Sequence, residues 1–391
     1  MKLSRLIALA SVTCAVVACG GTGSSPAASP EFQAAAPSYE RFAVTQSDAD
    51  TAEPAEADVV TLQNDAQASS GPDCHPHLFQ RSHEIISRVN RHFAKVLRHV
   101  EDAVKDNPSL KTNSSHVWDS VKNGVERKLT ITAATNADAS ITYTYTLEMK
   151  TAAQTAFATV FSGNLTSSGT AAVDGGAAAS GEEKGSITFD FTALSTVLTN
   201  EKSRGQITDA FDHVKDATKG VKRTANLTLT AFLPEEGDAH GLRTGSYVWE
   251  REPGVGGSFA FQDTLVLLCT SNPNALTSDL IAVARWYKAT DASVHARTDA
   301  QATGGQLPTG NVWVGATCAQ GASTATPAEG YWMVKEENAS GATVVGKADT
   351  SGLTPCDAML GGAAPDVGSN VHDFAFTGIS FTTPYPFPNE W

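Results

Sequence analysis

Between about residues 116 and 348 the chain alternates apolar and polar side chains with a period of two. The clearest run is 141–149: Ile141, Tyr143, Tyr145, Leu147 and Met149 point one way, and Thr142, Thr144, Thr146 and Glu148 the other. Successive side chains of a strand face opposite sides of a sheet, so this run predicts a half-buried antiparallel strand. Comparable runs lie near 125–134, 155–163, 185–193, 222–233, 245–251, 257–269, 280–288, 292–300, 311–317, 330–336 and 342–348. Turn-forming residues separate them, at Asn136 to Asp138, Gly175-Gly176, Gly254 to Gly257, Gly304-Gly305 and Ser340-Gly341. About a dozen strands on short links predict an all-β antiparallel meander, shaped as a curved sheet, half-barrel or sandwich. Ile207, Ala210, Phe211 and Val214 have helical spacing, but 206–219 lies between two strand signals and is assigned to a strand by context. Residues 355–391 carry Pro and Gly with few periodic signals, so they predict irregular wrapping with one strand near 374–382.

One segment breaks the pattern. Over 76–104, Leu78, Phe79, Ile85, Ile86, Val89, Phe93, Val96, Leu97, Val100 and Val104 fall in one sector at 100° per residue. Arg81, Glu84, Arg88, Arg91, Lys95, Arg98, Glu101 and Asp102 take the other side. This predicts one long N-terminal helix of roughly 44 Å, opened by Pro76 and stopped at Asn107-Pro108. A continuous apolar stripe must be buried, so the helix is expected to pack on the sheet.

His75, His77, His83, His92 and His99 cluster here, and Cys74 is adjacent. Cys74, His75 and His77 are the local metal-ligand candidates. His92 and His99 share a face but sit about 10 Å apart along a helix, too far to hold one ion. The preferred assignment is no metal and no cofactor, with histidines flanking the buried stripe and capping the helix start. Cys74, Cys269, Cys318 and Cys356 form no C-x-x-C pair. In an exported chain they predict up to two disulfides, with Cys318–Cys356 preferred for its short interval and Cys74–Cys269 stapling the helix to the sheet.

The N-terminus bears on where the chain works. Lys2 and Arg5 precede an apolar run, Leu6 to Ala18, of signal-sequence length and too short to span a bilayer comfortably. Val16, Val17, Ala18 and Cys19 close it, and this tetrad resembles the lipobox of bacterial lipoproteins. The resemblance implies cleavage between Ala18 and Cys19, with residues 1–18 a signal peptide and Cys19 carrying diacylglyceryl and amine-linked acyl groups. Several acyl chains make stable anchoring. Gly20 follows Cys19, so in a Gram-negative envelope the family's sorting pattern implies the outer membrane, at its periplasmic or surface face. Residues 19–72 are rich in Ala, Ser, Pro and acid, with Glu31, Glu40, Asp48, Asp50, Glu53, Glu56, Asp58 and Asp65 against Arg41 alone. That composition predicts a disordered acidic tether, followed by one β-rich domain over 73–391.

The 391 residues carry a net charge of −14, and loss of Lys2 and Arg5 with the signal makes the mature chain two charges more negative. This argues against nucleic acid as a partner. Gly256-Gly257-Ser258-Phe259-Ala260 is a near miss to a nucleophile elbow, lacking the last glycine. Asp190 and Asp263 lie in predicted strands as an acid–base pair to be tested by their separation. Arg285-Trp286-Tyr287 and Tyr331-Trp332 are aromatic runs expected in the core or at sheet edges. No catalytic residue is assigned. The favoured function is a non-catalytic binding or scaffolding domain on an envelope lipoprotein, its partners the membrane and an unknown protein or ligand. The alternatives are a carrier of lipid or another apolar ligand in a β half-barrel, and a secreted hydrolase.

Overall fold

The structure is a computed structural model and describes residues 28–45, 74–168, 180–216, 220–234, 242–252, 254–267, 269–272, 276–288, 293–322 and 328–349. The described chain is predominantly antiparallel β-sheet with few helices. The first strands are β1 (Leu110–Lys111), β2 (Ser115–Lys122), β3 (Val125–Thr135), β4 (Ile141–Thr151), β5 (Ala158–Ser168) and β6 (Ser180–Asp190). They continue as β7 (Arg204–Asp216), β8 (Gly220–Leu233), β9 (Arg243–Glu252), β10 (Gly256–Val266) and β11 (Leu276–Lys288). The last are β12 (Ser293–Thr303), β13 (Val312–Ala322), β14 (Ala328–Glu337) and β15 (Thr343–Asp349). They form one 15-stranded sheet in unbroken chain order. Each hairpin is antiparallel, as in β3–β4, where Leu129 faces Leu147 and Ile131 faces Tyr145.

Among the described residues four helices accompany the sheet: α1 (Pro30–Ala35), α2 (Tyr39–Phe42), α3 (Leu78–Val104) and α4 (Phe191–Val197). α3 is the predicted long helix, begun two residues later than Pro76. His77 precedes it in a left-handed conformation (φ 45°), so the chain turns there before the first helical residue. The His77 side chain makes no capping hydrogen bond at this helix start, contrary to expectation. The apolar stripe is buried, with Leu78, Phe93, Val96, Leu97 and Val100 at 0% exposure. Phe93 stacks on Phe189 of β6, with ring centroids 4.4 Å apart. The charged side of α3 is half-covered too, leaving only Gln80 and Lys95 exposed along the helix. α3 contacts β2 as well as β11, β12 and β13.

The disulfide between Cys74 and Cys269 joins the entry to α3 to the segment after β10, with Cα atoms 5.5 Å apart. Residues 206–219 are strand as expected, through β7 to Asp216. At the start of β7, Gly205 has φ +80° and its α-carbon faces Ala231 O so closely that a β-carbon would lie 2.2 Å from that oxygen. The β7–β8 register shifts there, so only glycine serves.

Two expectations are corrected. Residues 28–45, read as part of the tether, are ordered and packed in the core, with Phe32, Tyr39, Phe42 and Val44 each at most 4% exposed. Their average composition is acidic and small, but four large side chains in 13 residues bury enough apolar surface to offset ordering. The strand near 185–193 stops at Asp190, whose carboxylate accepts the Ala193 amide at 2.7 Å and starts α4. The strand expected at 374–382 lies outside the described residues.

Candidate functional site

The first ordered segment, residues 28–45, crosses the sheet like a strap. In order, Phe32 stacks on His116 of β2 at 3.9 Å, the Tyr145 hydroxyl of β4 donates to Ala35 O at 2.8 Å, and Arg41 pairs with Glu183 of β6 at 3.5 Å. Phe42 meets Phe211 of β7 edge-on at 4.9 Å, Arg223 of β8 donates to Glu40 O at 2.9 Å, and Trp249 of β9 donates through Nε1 to Thr45 O at 2.9 Å. Arg251, also on β9, donates to the Thr45 hydroxyl.

α3 forms the other wall, running antiparallel to the strap. Glu101 accepts the Tyr39 amide at 2.7 Å. Asn90 brackets Val44, accepting its amide at 2.9 Å and donating to its carbonyl at 2.5 Å. Asn90 and Tyr145 are buried. Among the described residues no backbone-to-backbone hydrogen bond ties the strap to a strand or to α3. Domain side chains meet peptide groups of Ala35, Tyr39, Glu40, Val44 and Thr45, the strap's own Arg41 donates to Ala34 O and Ala35 O, and aromatic rings fill the spaces between. The cations of this channel are partly desolvated, and burial lowers the pKa of both Arg223 and Arg251. Burial, with Arg223 and Arg41 nearby, pushes His213 beneath Phe42 down to about 3.

The nearest approach to a nucleophile–base pair lies further along α3. His92 Nε2 is 3.0 Å from Ser203 Oγ and 3.2 Å from Pro234 O, and Nδ1 is 2.7 Å from Arg88 O. Glu201 accepts the Ser203 amide at 2.8 Å and is paired with Lys95 at 3.2 Å. Burial and Lys95 lower His92 to about 4, so it is neutral near pH 7. The Ser203 hydroxyl donates its one proton to Pro234 O at 2.9 Å rather than to the imidazole, so the first requirement of such a pair is not met. Substrate access is the second, and it fails too, since Ser203 is 0% exposed. The trio ties α3 to the ends of β7 and β8.

The residues singled out in the sequence fall as follows. Cys74 and Cys269 are bonded, as expected. Cys318 is disulfide-bonded too, but the expected pair with Cys356 reaches outside the described residues, as do Ala18 and Cys19. The His75 and His77 rings face one another at 3.8 Å, and His75 stacks on Trp332 at 5.2 Å. Rings presented face to face do not converge their lone pairs on one ion, and no group of three metal-ligating residues occurs among the described residues. Asp190 and Asp263 stand on β6 and β10, which lie four places apart in the sheet order and do not pair. Asp190 is further committed to capping α4 and accepts from Gln206 at 2.7 Å. Ser258 is buried within β10, and Trp286 and Trp332 are core.

Sequence reasoning missed the strap and the His92–Ser203 contact. The available signal for the strap was Phe32, Tyr39, Phe42 and Val44 set among acids. His92 and Ser203 lie 111 residues apart, and no local pattern links them. Among the described residues, no helix is long and apolar enough to cross a membrane. No protein-family model matches the chain, and neither a curated protein nor a solved structure matches it.

Proposed function

We propose that this chain is a lipid-anchored envelope lipoprotein whose β-rich domain is a non-catalytic binding or scaffolding module. The observation that carries the module reading is the strap channel, where side chains of α3, β4, β8 and β9 hold the peptide groups of another segment. A surface equipped this way is suited to polypeptide rather than to bond-breaking chemistry. The anchor reading rests on Val16, Val17, Ala18 and Cys19. On it, only residues 20–27 separate the lipidated cysteine from the strap, a reach of about 30 Å at full extension, and the domain sits close to the headgroups. Detergent partitioning tests the anchor: wild type enters the detergent phase, and Cys19→Ser stays aqueous. Equal partitioning of the two overturns it.

A second reading is favoured by one observation. α3 touches β2 and β13, whose positions in a flat sheet would be about 53 Å apart, while the helix is about 40 Å long. A sheet curved around the helix, as in a half-barrel, satisfies both lengths and would suit a carrier of apolar ligands. Native mass spectrometry of the Cys19→Ser chain separates the readings: non-covalent acyl lipid co-purifying at stoichiometric level supports the carrier, and its repeated absence supports the module.

A further inference from the structure

We infer that the channel between α3 and β2–β9 is a peptide-binding site that accepts residues 28–45 of a second copy in place of its own; this rests on reading the domain as a binding module. The contacts recognise a main chain. Asn90 meets both the amide and the carbonyl of Val44, while Tyr145, Arg223 and Trp249 each donate to a strap carbonyl and Glu101 accepts a strap amide. Specificity comes from seats for Phe32, Tyr39, Phe42 and Val44, every one of them buried. An identical copy supplies the same spacing.

Departure of the strap breaks no strand pairing. The sheet order from β1 to β15 contains no strap residue, and no backbone-to-backbone bond is lost among the described residues. Segments held this way and joined by a long connection are the elements that domain swapping exchanges. Twenty-eight residues, 46–73, lie between the strap and Cys74. Their contour of up to ~95 Å exceeds the ~50 Å width of a domain this size, so the strap of one copy can reach the channel of another. Within one copy the tethered strap competes at an effective concentration near millimolar, so exchange is favoured where copies are crowded or the resident strap is weakened.

The probe is a fluorescein-labelled peptide of residues 28–45, titrated into the full chain and followed by anisotropy. Wild type binds it weakly because its own strap competes. The double variant Tyr39→Ala, Phe42→Ala weakens the resident strap and should bind about tenfold more tightly. Adding Asn90→Ala to that variant should lose about tenfold again, since both groups of Val44 lose their partner. A double variant with wild-type circular dichroism that takes up no peptide overturns the inference, and so does binding indifferent to Asn90→Ala. If the double variant does not fold, wild type cleaved by protease within 46–73 decides. Replacement of the cut segment by labelled peptide supports exchange, and retention under large molar excess overturns it. Failed exchange leaves the binding-module reading standing, whereas stoichiometric non-covalent acyl lipid on the Cys19→Ser chain defeats that reading whatever the peptide does.

Discussion

The two halves of the sheet bury their side chains differently. In β3, β4 and β8 buried positions alternate with half-exposed or exposed ones, so one face packs and the other meets water. In β10, β12 and β13 the alternation vanishes: Gly256–Phe261, Ala296–Ala300 and Trp313–Ala319 are buried without interruption. The side facing α3 there carries Phe259, Phe261, Trp286 and Trp313. The opposite side carries Ala260, Ala316, Met333 and Cys318 together with Arg297 and Asp299, all buried. The difference teaches what each half spends its polar residues on. On β3 and β4 they meet solvent, whereas on β12 they must find partners inside the protein. Arg297 does so through its guanidinium, whose Nε and Nη2 lie 2.9 and 2.7 Å from Asp299 Oδ1.

Three measurements would break or sharpen this contrast. The largest effect is expected at the Cys74–Cys269 disulfide, which anchors the start of α3 to the doubly buried half. It closes 195 residues of chain, and the chain-entropy estimate for such a loop is on the order of 5 kcal/mol. The double substitution Cys74→Ser, Cys269→Ser should lower the urea midpoint accordingly, and an unchanged midpoint would show the staple to be idle.

Next come matched ion pairs. Asp299→Ala leaves Arg297 charged and buried, which costs about 3–5 kcal/mol when a buried pair is broken. Glu148→Ala removes the partner of Lys128 on β3–β4, where the two side chains are 29% and 42% exposed and 3.8 Å apart. Exposed pairs contribute about 0–1 kcal/mol, so this variant should unfold nearly as wild type does. Equal losses from the two would erase the contrast drawn between the halves.

The smallest effect is on pH dependence and belongs to the singly buried half and α3. Burial pushes Asp209 of β7 up to about 8. A raised carboxyl contributes stability that is complete below its unfolded value and lost as pH rises through 8. Burial lowers His92 and His99 to about 4 and His213 to about 3, so their contribution is complete above 6.5 and lost as pH falls toward those values. Below 6.5 the lowered histidines outweigh Asp209, and between 6.5 and 8 the decline set by Asp209 continues after theirs is complete. Stability should therefore peak near pH ~6.5. Asp209→Asn should remove the alkaline decline, which between pH 6.5 and 8 is on the order of 2 kcal/mol. A thermal midpoint that still falls between pH 6.5 and 8 in that variant would refute the assignment.

Legibility followed the same division. α3 and β4 could be read from periodicity because one side of each is apolar and the other polar, and each period is unambiguous. β12 and β13 were found from turns and runs, but nothing in Ala-Arg-Thr-Asp-Ala announces burial of Arg297 and Asp299. Their partners are set by register between strands, which a single segment does not encode. The strap was hidden by averaging: eight acids over residues 31–65 set the expectation, and the four buried side chains sit within only 13 positions of that span. Main-chain recognition by Asn90 and Trp249 has no sequence signature, because it depends on where those side chains end up rather than on what they meet.

The unbroken order of the strands has a consequence for how the chain assembles. Every hairpin needs only its immediate neighbours, so pairing can advance from one end as polypeptide is delivered. The strap is the exception. It is made before any strand, yet its contacts to Trp249 and Arg251 cannot form until β9 exists, some two hundred residues later. What the ribosome finishes first is thus among the last pieces to be seated, and until then four large apolar side chains near the N-terminus are left without a home.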